Sequence, residues 1–391
     1  MDIKEIQFKI EKELSILDKQ PYGLFGGISG IVLYYCNLYK NTNDKKYLKT
    51  IKELLKFTYD NIYRESTINY SYCMGLSGFG YLIEYIDTNR FIKFHRDELH
   101  EIDQLLICIL SNDINNLNLD FLHGHIGIVL YLVKRSEKKT EIKKTLQLFI
   151  DKLFNMAEWN NNEIKWKFYD NSNKSDYNIS LSHGMSAIIM ILLTMKKNKI
   201  ENPKLDLLIN CSINYILSQQ INVDEYGSYF SYLALESELC IRKSRLAWCY
   251  GDLGIAVVLW NAGIIMNNIK WINKSQEILL FAALNRKELK KNMIFDAGLC
   301  HGTSGVALIF YRMFLNTKMI ELKYAAEYWI DQTLKMSKFK NGLAGYKTYD
   351  SQLDSWINDY SFLEGITGIG LLLTSFHNQT EPIWDECLLL S

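Results

Sequence analysis

Residues 302–311 read Gly302-Thr303-Ser304-Gly305-Val306-Ala307-Leu308-Ile309-Phe310-Tyr311, a glycine pair opening a run that is apolar nearly all round. Such a run is the pattern of a helix buried on every side. The same pattern opens at Gly27, Gly75, Gly124, Gly184, Gly251 and Gly365, so it occurs seven times between the two ends of the chain. Between these runs lie segments with helical polar/apolar spacing. In residues 45–63, Leu48, Ile51, Leu55 and Ile62 fall on one face; in residues 138–154, Ile142, Leu146, Phe149 and Leu153 do. Inner helices buried all round thus alternate with outer helices that keep one wet face. An all-α closed ring of helical hairpins, repeated seven times, buries every inner run without an exposed apolar end. An open solenoid is the alternative.

The repeat leaves no room for an unrelated domain, so residues 1–391 are expected to form a single domain. Extra polar and aromatic length at 158–178 and 223–240 reads as excursions over the rim with short strands, natural places to grip a substrate.

Charge is balanced, with 44 Lys plus Arg against 44 Asp plus Glu, so nothing favours nucleic acid or an anionic membrane as the main partner. The start has no signal-peptide pattern and no apolar run approaches the roughly 18 residues of a membrane span. A cytoplasmic protein with reduced thiols is expected, touching a membrane only through partners.

The two residues before each repeat glycine are Phe25-Gly26, Cys73-Met74, Leu122-His123, Ser182-His183, Cys249-Tyr250, Cys300-His301 and Leu363-Glu364. Three of the eight cysteines and three of the seven histidines occupy these fourteen places, where an even spread would put fewer than one. Thiolate with imidazole is the ligand set of zinc, and three protein ligands leave a fourth position open for substrate. Cys300 and His301 are adjacent, and Cys249 comes from the preceding unit. Buried cysteine can also be a small apolar residue, the reading given to Cys36, Cys108, Cys211, Cys240 and Cys387. Cys73 reads as cavity-lining.

His183 suits proton transfer or a structural helix start. Asp120 suits orienting an imidazole or a helix N-cap. Arg245 and Tyr250 suit stabilising negative charge on substrate, or a rim salt bridge and a packed ring. His123 and His125 are expected to line the cavity.

The segments RLAWCYG (245–251), GLCHGTSG (298–305), NISLSHGMSA (178–187) and FLEGITGIGLLL (362–373) together resemble those of the LanC-like lanthionine synthetase (lantibiotic cyclase) family. The resemblance covers almost the whole chain. It implies the α/α toroid (a double ring of seven inner and seven outer helices), Zn2+ on Cys249, Cys300 and His301, acid/base roles for His183 and Asp120, and supporting roles for Arg245 and Tyr250. It further implies addition of precursor-peptide thiols to dehydroalanine or dehydrobutyrine, with a dehydratase and an ABC transporter as partners. Ala187 in place of a second glycine, Leu253 where the family often has proline, and a short N-terminal segment depart from the pattern without removing a chemical group. The alternatives are addition of glutathione or another free thiol to dehydrated proteins, and a non-catalytic scaffold that binds leader peptide.

Overall fold

The computed structural model describes residues 3–15, 21–62, 68–93, 99–137, 139–169, 175–237 and 243–391. Helices run α1 Ile3–Leu14, α2 Ile28–Thr42, α3 Lys45–Ile62, α4 Leu76–Thr88, α5 His100–Asn112, α6 His125–Arg135 and α7 Thr140–Met156. Two hairpins follow, β1 Glu158–Asn160 with β2 Glu163–Lys165 and β3 Phe168–Tyr169 with β4 Ser175–Asp176. Next come α8 Met185–Lys197, α9 Leu205–Ser218, the single turn α10 Val223–Tyr226, α11 Asp252–Ile265, α12 Ile269–Asn285, α13 Thr303–Thr317 and α14 Ile320–Lys335. The hairpin β5 Thr348–Asp350 with β6 Ser355–Ile357, then α15 Ile366–His377 and a 3-10 turn at Ile383–Leu388, complete the order.

The chain divides into two compact units, residues 1–94 with 246–248 and 283–391, and residues 95–245 with 249–282. In the first, the repeat helices α13, α15, α2 and α4 pack in that order, α3 and α14 lie outside α2 and α13, and α1 covers α15. In the second, α8 packs between α6 and α11, with α7 and α9 outside α6 and α8.

The inner and outer readings hold. Ile28–Leu38 of α2 and Thr303–Met313 of α13 are buried without interruption. On α7 only Ile142, Thr145, Leu146, Phe149, Ile150 and Leu153 are, one stripe at helical spacing. On α3 the buried stripe is Tyr47, Ile51, Leu55 and Thr58, so the expected Leu48 and Ile62 sit at its margins, half-buried. Tyr47 takes the core position because its ring packs on Tyr35, 6.0 Å between centroids. Strands occur in the first rim excursion. The second instead holds α10 and an isolated Gln220–Phe230 bridge. The β5–β6 hairpin was not foreseen.

An ion pair lies deep in the first unit. Arg312, on α13, is 1% exposed and donates to both oxygens of Asp385 (2.7 and 2.9 Å), to Glu381 (2.6 Å) and to the Pro382 carbonyl (3.0 Å). These bonds satisfy a buried guanidinium that would otherwise be severely destabilising, and they pin residues 381–385 to α13.

Each repeat glycine is the N-cap of an inner helix, and none of the seven helix starts has a side-chain cap. The missing cap is replaced by a closed loop. The first helical N–H donates back to a carbonyl seven residues earlier: Leu76 to Asn69, His125 to Asn118 and Met185 to Asn178 at 2.8 Å, Ile366 to Asp359 at 3.0 Å and Thr303 to Asp296 at 3.1 Å. The Asn or Asp side chain also accepts the N–H two residues on, at 2.6–3.0 Å, forming an Asx turn. A Cβ on Gly75, Gly124, Gly184 or Gly365 would stand 2.1–2.5 Å from that carbonyl oxygen, so the glycines permit the close approach rather than an unusual φ. The fifth loop differs: Arg245 takes the Asn/Asp place, and Gly251 has φ +85°, in the left-handed region.

Candidate functional site

The loops before the inner helices are stitched together by main chain. Leu181 and Ser182 N–H groups both donate to the Cys249 carbonyl (3.1 and 3.3 Å). Leu299 and Cys300 donate to Leu363 (2.9 and 3.0 Å), Leu363 donates to Phe25 (3.1 Å), and Phe25 and Gly26 donate to Cys73 (3.0 and 3.1 Å). The acceptor is each time the residue two before a repeat glycine. The places enriched in Cys and His are therefore held in register by backbone hydrogen bonds, which is why the enrichment marks a site rather than scattered residues.

In the second unit His183 and Asp120 meet, with Nδ1 2.5 Å from Oδ2. Asp120 also accepts the His123 N–H at 2.7 Å, so the carboxylate is fixed from two sides. Burial opposes its charge, but the hydrogen bond and charge of His183, helped by the His123 N–H, hold Asp120 below the ordinary carboxylate range. Burial likewise opposes an imidazolium at His183, yet the hydrogen bond and charge of Asp120, with Cys249 beyond, raise its pKa. Each partner thus favours the charged form of the other. With Nδ1 committed to Asp120, Nε2 is the nitrogen left to exchange a proton with a substrate.

Rings flank His183. His123 stacks at 6.2 Å between centroids and Tyr250 lies at 6.0 Å, itself stacked on Tyr232 at 4.0 Å and 11°. Burial, then Tyr232 and Cys249, push the Tyr250 phenol well up, so it stays protonated and can donate. Tyr232 reaches Tyr250 because the buried Asp252 carboxylate, at the start of α11, accepts the N–H groups of Tyr229 and Phe230 at 3.0–3.2 Å. The second rim excursion is thereby tied to the loop of Cys249. Arg245, in that loop, is half-buried, and its Nε is buried without a hydrogen-bond partner among the described residues.

In the first unit Cys300 is buried and His301 half-buried, with His301 Nε2 3.6 Å from Glu364 Oε2. The ligand atoms of Cys249, Cys300 and His301 all lie within 4.8 Å of one another, the only group of three or more His, Cys, Asp or Glu side chains among the described residues that converges in this way. Two thiols and an imidazole make a donor set suited to a borderline-soft divalent cation.

Several readings of lone residues change. His125 does not line a cavity: it is buried, accepting the Asn118 N–H on Nδ1 at 2.9 Å with Nε2 3.1 Å from Asp113. Cys108 is exposed rather than packed, because the buried stripe of α5 is Ile102, Asp103, Leu106, Ile107 and Leu110. Cys36, Cys211 and Cys387 are buried as expected; Cys73, expected to line the cavity, is buried too, and Cys240 lies outside the described residues. Two neighbours of the site were missed. Glu364 stood in the enriched pair of the seventh unit and was passed over for want of a thiol or imidazole. Tyr232 lies in an excursion with no register to read.

Comparison with known proteins agrees in scale with the repeat. The chain is 23% identical to the "Nisin biosynthesis protein NisC" of Lactococcus lactis subsp. lactis, over 100% of this chain and 96% of that one. Its structure is similar to that of a solved nisin cyclase, with TM-score 0.76 at 21% identity, covering 99% of this chain and 96% of the other. The fold class is therefore the all-α, α/α toroid expected from the seven glycine-headed helices. With the profile of the Lanthionine synthetase C-like protein family matching residues 18–389, the chain belongs to that family.

Proposed function

We propose that this protein is a zinc-dependent peptide cyclase: it adds cysteine thiols of a precursor peptide to dehydroalanine or dehydrobutyrine, closing (methyl)lanthionine thioether rings. The convergence of Cys249, Cys300 and His301 carries the reading, because this chemistry needs a thiolate at neutral pH and a free thiol has pKa near about 8.5. Zn2+ held by these three residues would supply that activation, lowering the pKa of a substrate thiol.

The chain's other residues account for the rest of the addition. The thiolate sulfur forms a bond to the β-carbon, and the alkene π pair moves onto the α-carbon and carbonyl as an enolate. His183, held as imidazolium by Asp120, delivers the proton from Nε2 to the α-carbon, and the imidazole is recharged from solvent. The Tyr250 phenol and Arg245 guanidinium are suited to the developing negative charge. Tyr232, stacked on Tyr250, positions that phenol.

A dehydratase must supply the alkene, and an ABC transporter would take the product onward; single-domain organisation and a cytoplasmic setting belong to the same proposal. No helix among the described residues is long and apolar enough to cross a membrane.

The test is Cys300→Ser, assayed for bound zinc and for loss of peptide thiol on a dehydroalanine-containing peptide. Loss of both is expected. A folded, metal-free variant closing rings at the wild-type rate overturns the proposal. Glutathione consumed in preference to the peptide's own thiol would replace cyclisation with intermolecular addition.

A further inference from the structure

A cleft of about 410 Å³ lies in the first unit between α1 and the loop that follows α14. Lys9 and Lys12 line it from α1, and Lys338 and Lys340 from the loop, against the single carboxylate of Glu13. Lys9 is paired with Glu5 at 2.7 Å, whereas Lys12, Lys338 and Lys340 have no ion pair among the described residues. The loop is braced: Phe339 N–H donates to the Gly345 carbonyl (2.9 Å), Ser337 Oγ donates to the Ala344 carbonyl (2.8 Å), and Gly345 has φ +88°. In a chain of balanced charge, a concavity holding three lysines without an ion pair among the described residues is a local departure.

An aromatic track leaves this cleft. Phe339, on its wall, lies 4.9 Å from Trp356 between ring centroids; Trp356 lies 5.5 Å from Tyr349, and Tyr349 5.4 Å from Phe295. Phe295 and Trp356 are exposed, at 47% and 39%. The track ends on the loop of Cys300 and His301. Tyr349 N–H donates to Asp296 Oδ2 (3.1 Å), whose Oδ1 holds the Asx turn of that loop, and Thr348 Oγ1 donates to the Glu364 carbonyl (2.9 Å). The β5–β6 hairpin is fastened to both the sixth and seventh loops.

We propose that this surface receives the precursor peptide, an acidic segment seating in the lysine cleft and the apolar residues after it lying along Phe339, Trp356, Tyr349 and Phe295 towards Cys300. The inference rests on the peptide-cyclase reading for its occupant, and on charge complementarity and continuity with the thiol loop for its place. A concave cleft running into a narrow file of rings fits an extended chain rather than a membrane surface.

The probe is a synthetic, fluorescein-labelled, cysteine-free peptide with an acidic N-terminal half and a Leu/Phe-containing C-terminal half, its binding read by anisotropy at low and high salt. Lys338→Glu/Lys340→Glu is expected to weaken binding at low salt about tenfold, with a much smaller loss at high salt. Trp356→Ala is expected to weaken it about tenfold at either salt. Circular dichroism of each variant guards against misfolding. Equal binding of the same peptide with Asn and Gln for its acids, unchanged affinity in the double-lysine variant, or lysine-dependent binding of phosphatidylserine vesicles in place of the peptide would each overturn the proposal. Cys300→Ser separates the two readings: it should keep peptide binding and lose cyclisation. Lysine-dependent peptide binding by a wild-type protein that closes no rings would sink the cyclase reading and leave the docking surface standing.

Discussion

Gly184→Ala tests the reason for the repeat glycines where they matter most, one residue after His183. Its φ of −139° and ψ of −163° are open to alanine, so any cost is steric. The new Cβ would stand 2.4 Å from the Asn178 carbonyl oxygen and 2.5 Å from Asn178 Oδ1, and ordinary contact begins near 3.4 Å. The loop must retreat by about an ångström, which breaks the Met185-to-Asn178 bond (2.8 Å) and the Asx turn to Ser180 (2.9 Å). Two hydrogen bonds at about 0.5–1.5 kcal/mol each, with overpacking of about 1–3 kcal/mol, give a loss of about 2–6 kcal/mol. Gly227→Ala is the control: nothing lies within 4 Å of its would-be Cβ, and its φ of +71° alone costs about 1 kcal/mol. Urea melts followed by far-UV circular dichroism and tryptophan fluorescence would rank the two. A displacement of this size at His183 should also slow cyclisation by about 10²-fold. If Gly184→Ala is no worse than Gly227→Ala in the melts, close approach is not what the glycine provides.

Asp120→Asn removes the partner that raises the His183 pKa, so the alkaline limb of the cyclisation rate profile should move to lower pH; an unmoved limb argues against His183 as the acid. The same pair makes a stability prediction. His183's contribution is complete below its unfolded-state pKa and fades as pH rises through the raised folded value; Asp120's is complete above the unfolded carboxylate value and fades as pH falls through the lowered one. The difference in melting temperature between wild type and Asp120→Asn should therefore be greatest between those limits and shrink on either side. At Arg312, Asp385→Ala should cost about 3–5 kcal/mol in urea melts because it strands a buried cation, whereas Arg312→Met/Asp385→Leu should come within about 1 kcal/mol of wild type; equal losses would contradict the clamp. Among the seven described cysteines only Cys108 is exposed, so Cys108→Ser should remove a fast-reacting thiol from the native protein in a disulfide-exchange titration.

The helices were legible because a run such as Val306–Tyr311 is apolar on all sides, a pattern that few other structures tolerate. The site was legible in part, because repetition gave Cys249 and Cys300 one equivalent place, and His183 and His301 another, without any knowledge of distance. What escaped depends on side chain meeting main chain or on packing across loops. Asn69, Asn118, Asn178, Asp296 and Asp359 recur six before five of the seven glycines, but the meaning of that regularity lies in an Asx turn that apolar periodicity cannot report. The β5–β6 hairpin lay in the longer interval between Gly302 and Gly365, whose extra length was not read as an excursion. The displacement from Leu48 to Tyr47 on α3 reflects a ring contact that hydrophobicity alone does not rank.

The stitching of one loop to the next has an evolutionary consequence. At the residue two before the glycine in four loops, Phe25, Cys73, Cys249 and Leu363, the protein spends a carbonyl oxygen, which every amino acid possesses, so the stitching itself places no demand on the side chain. Phenylalanine, cysteine and leucine all stand there with the main-chain bonds intact. Chemistry can therefore be exchanged at such a socket without renegotiating the scaffold. New reactivity would be sought at Leu363 before Phe25, because the Phe25 ring is fully buried against Tyr72, Trp248 and Phe362 and its loss would open a cavity.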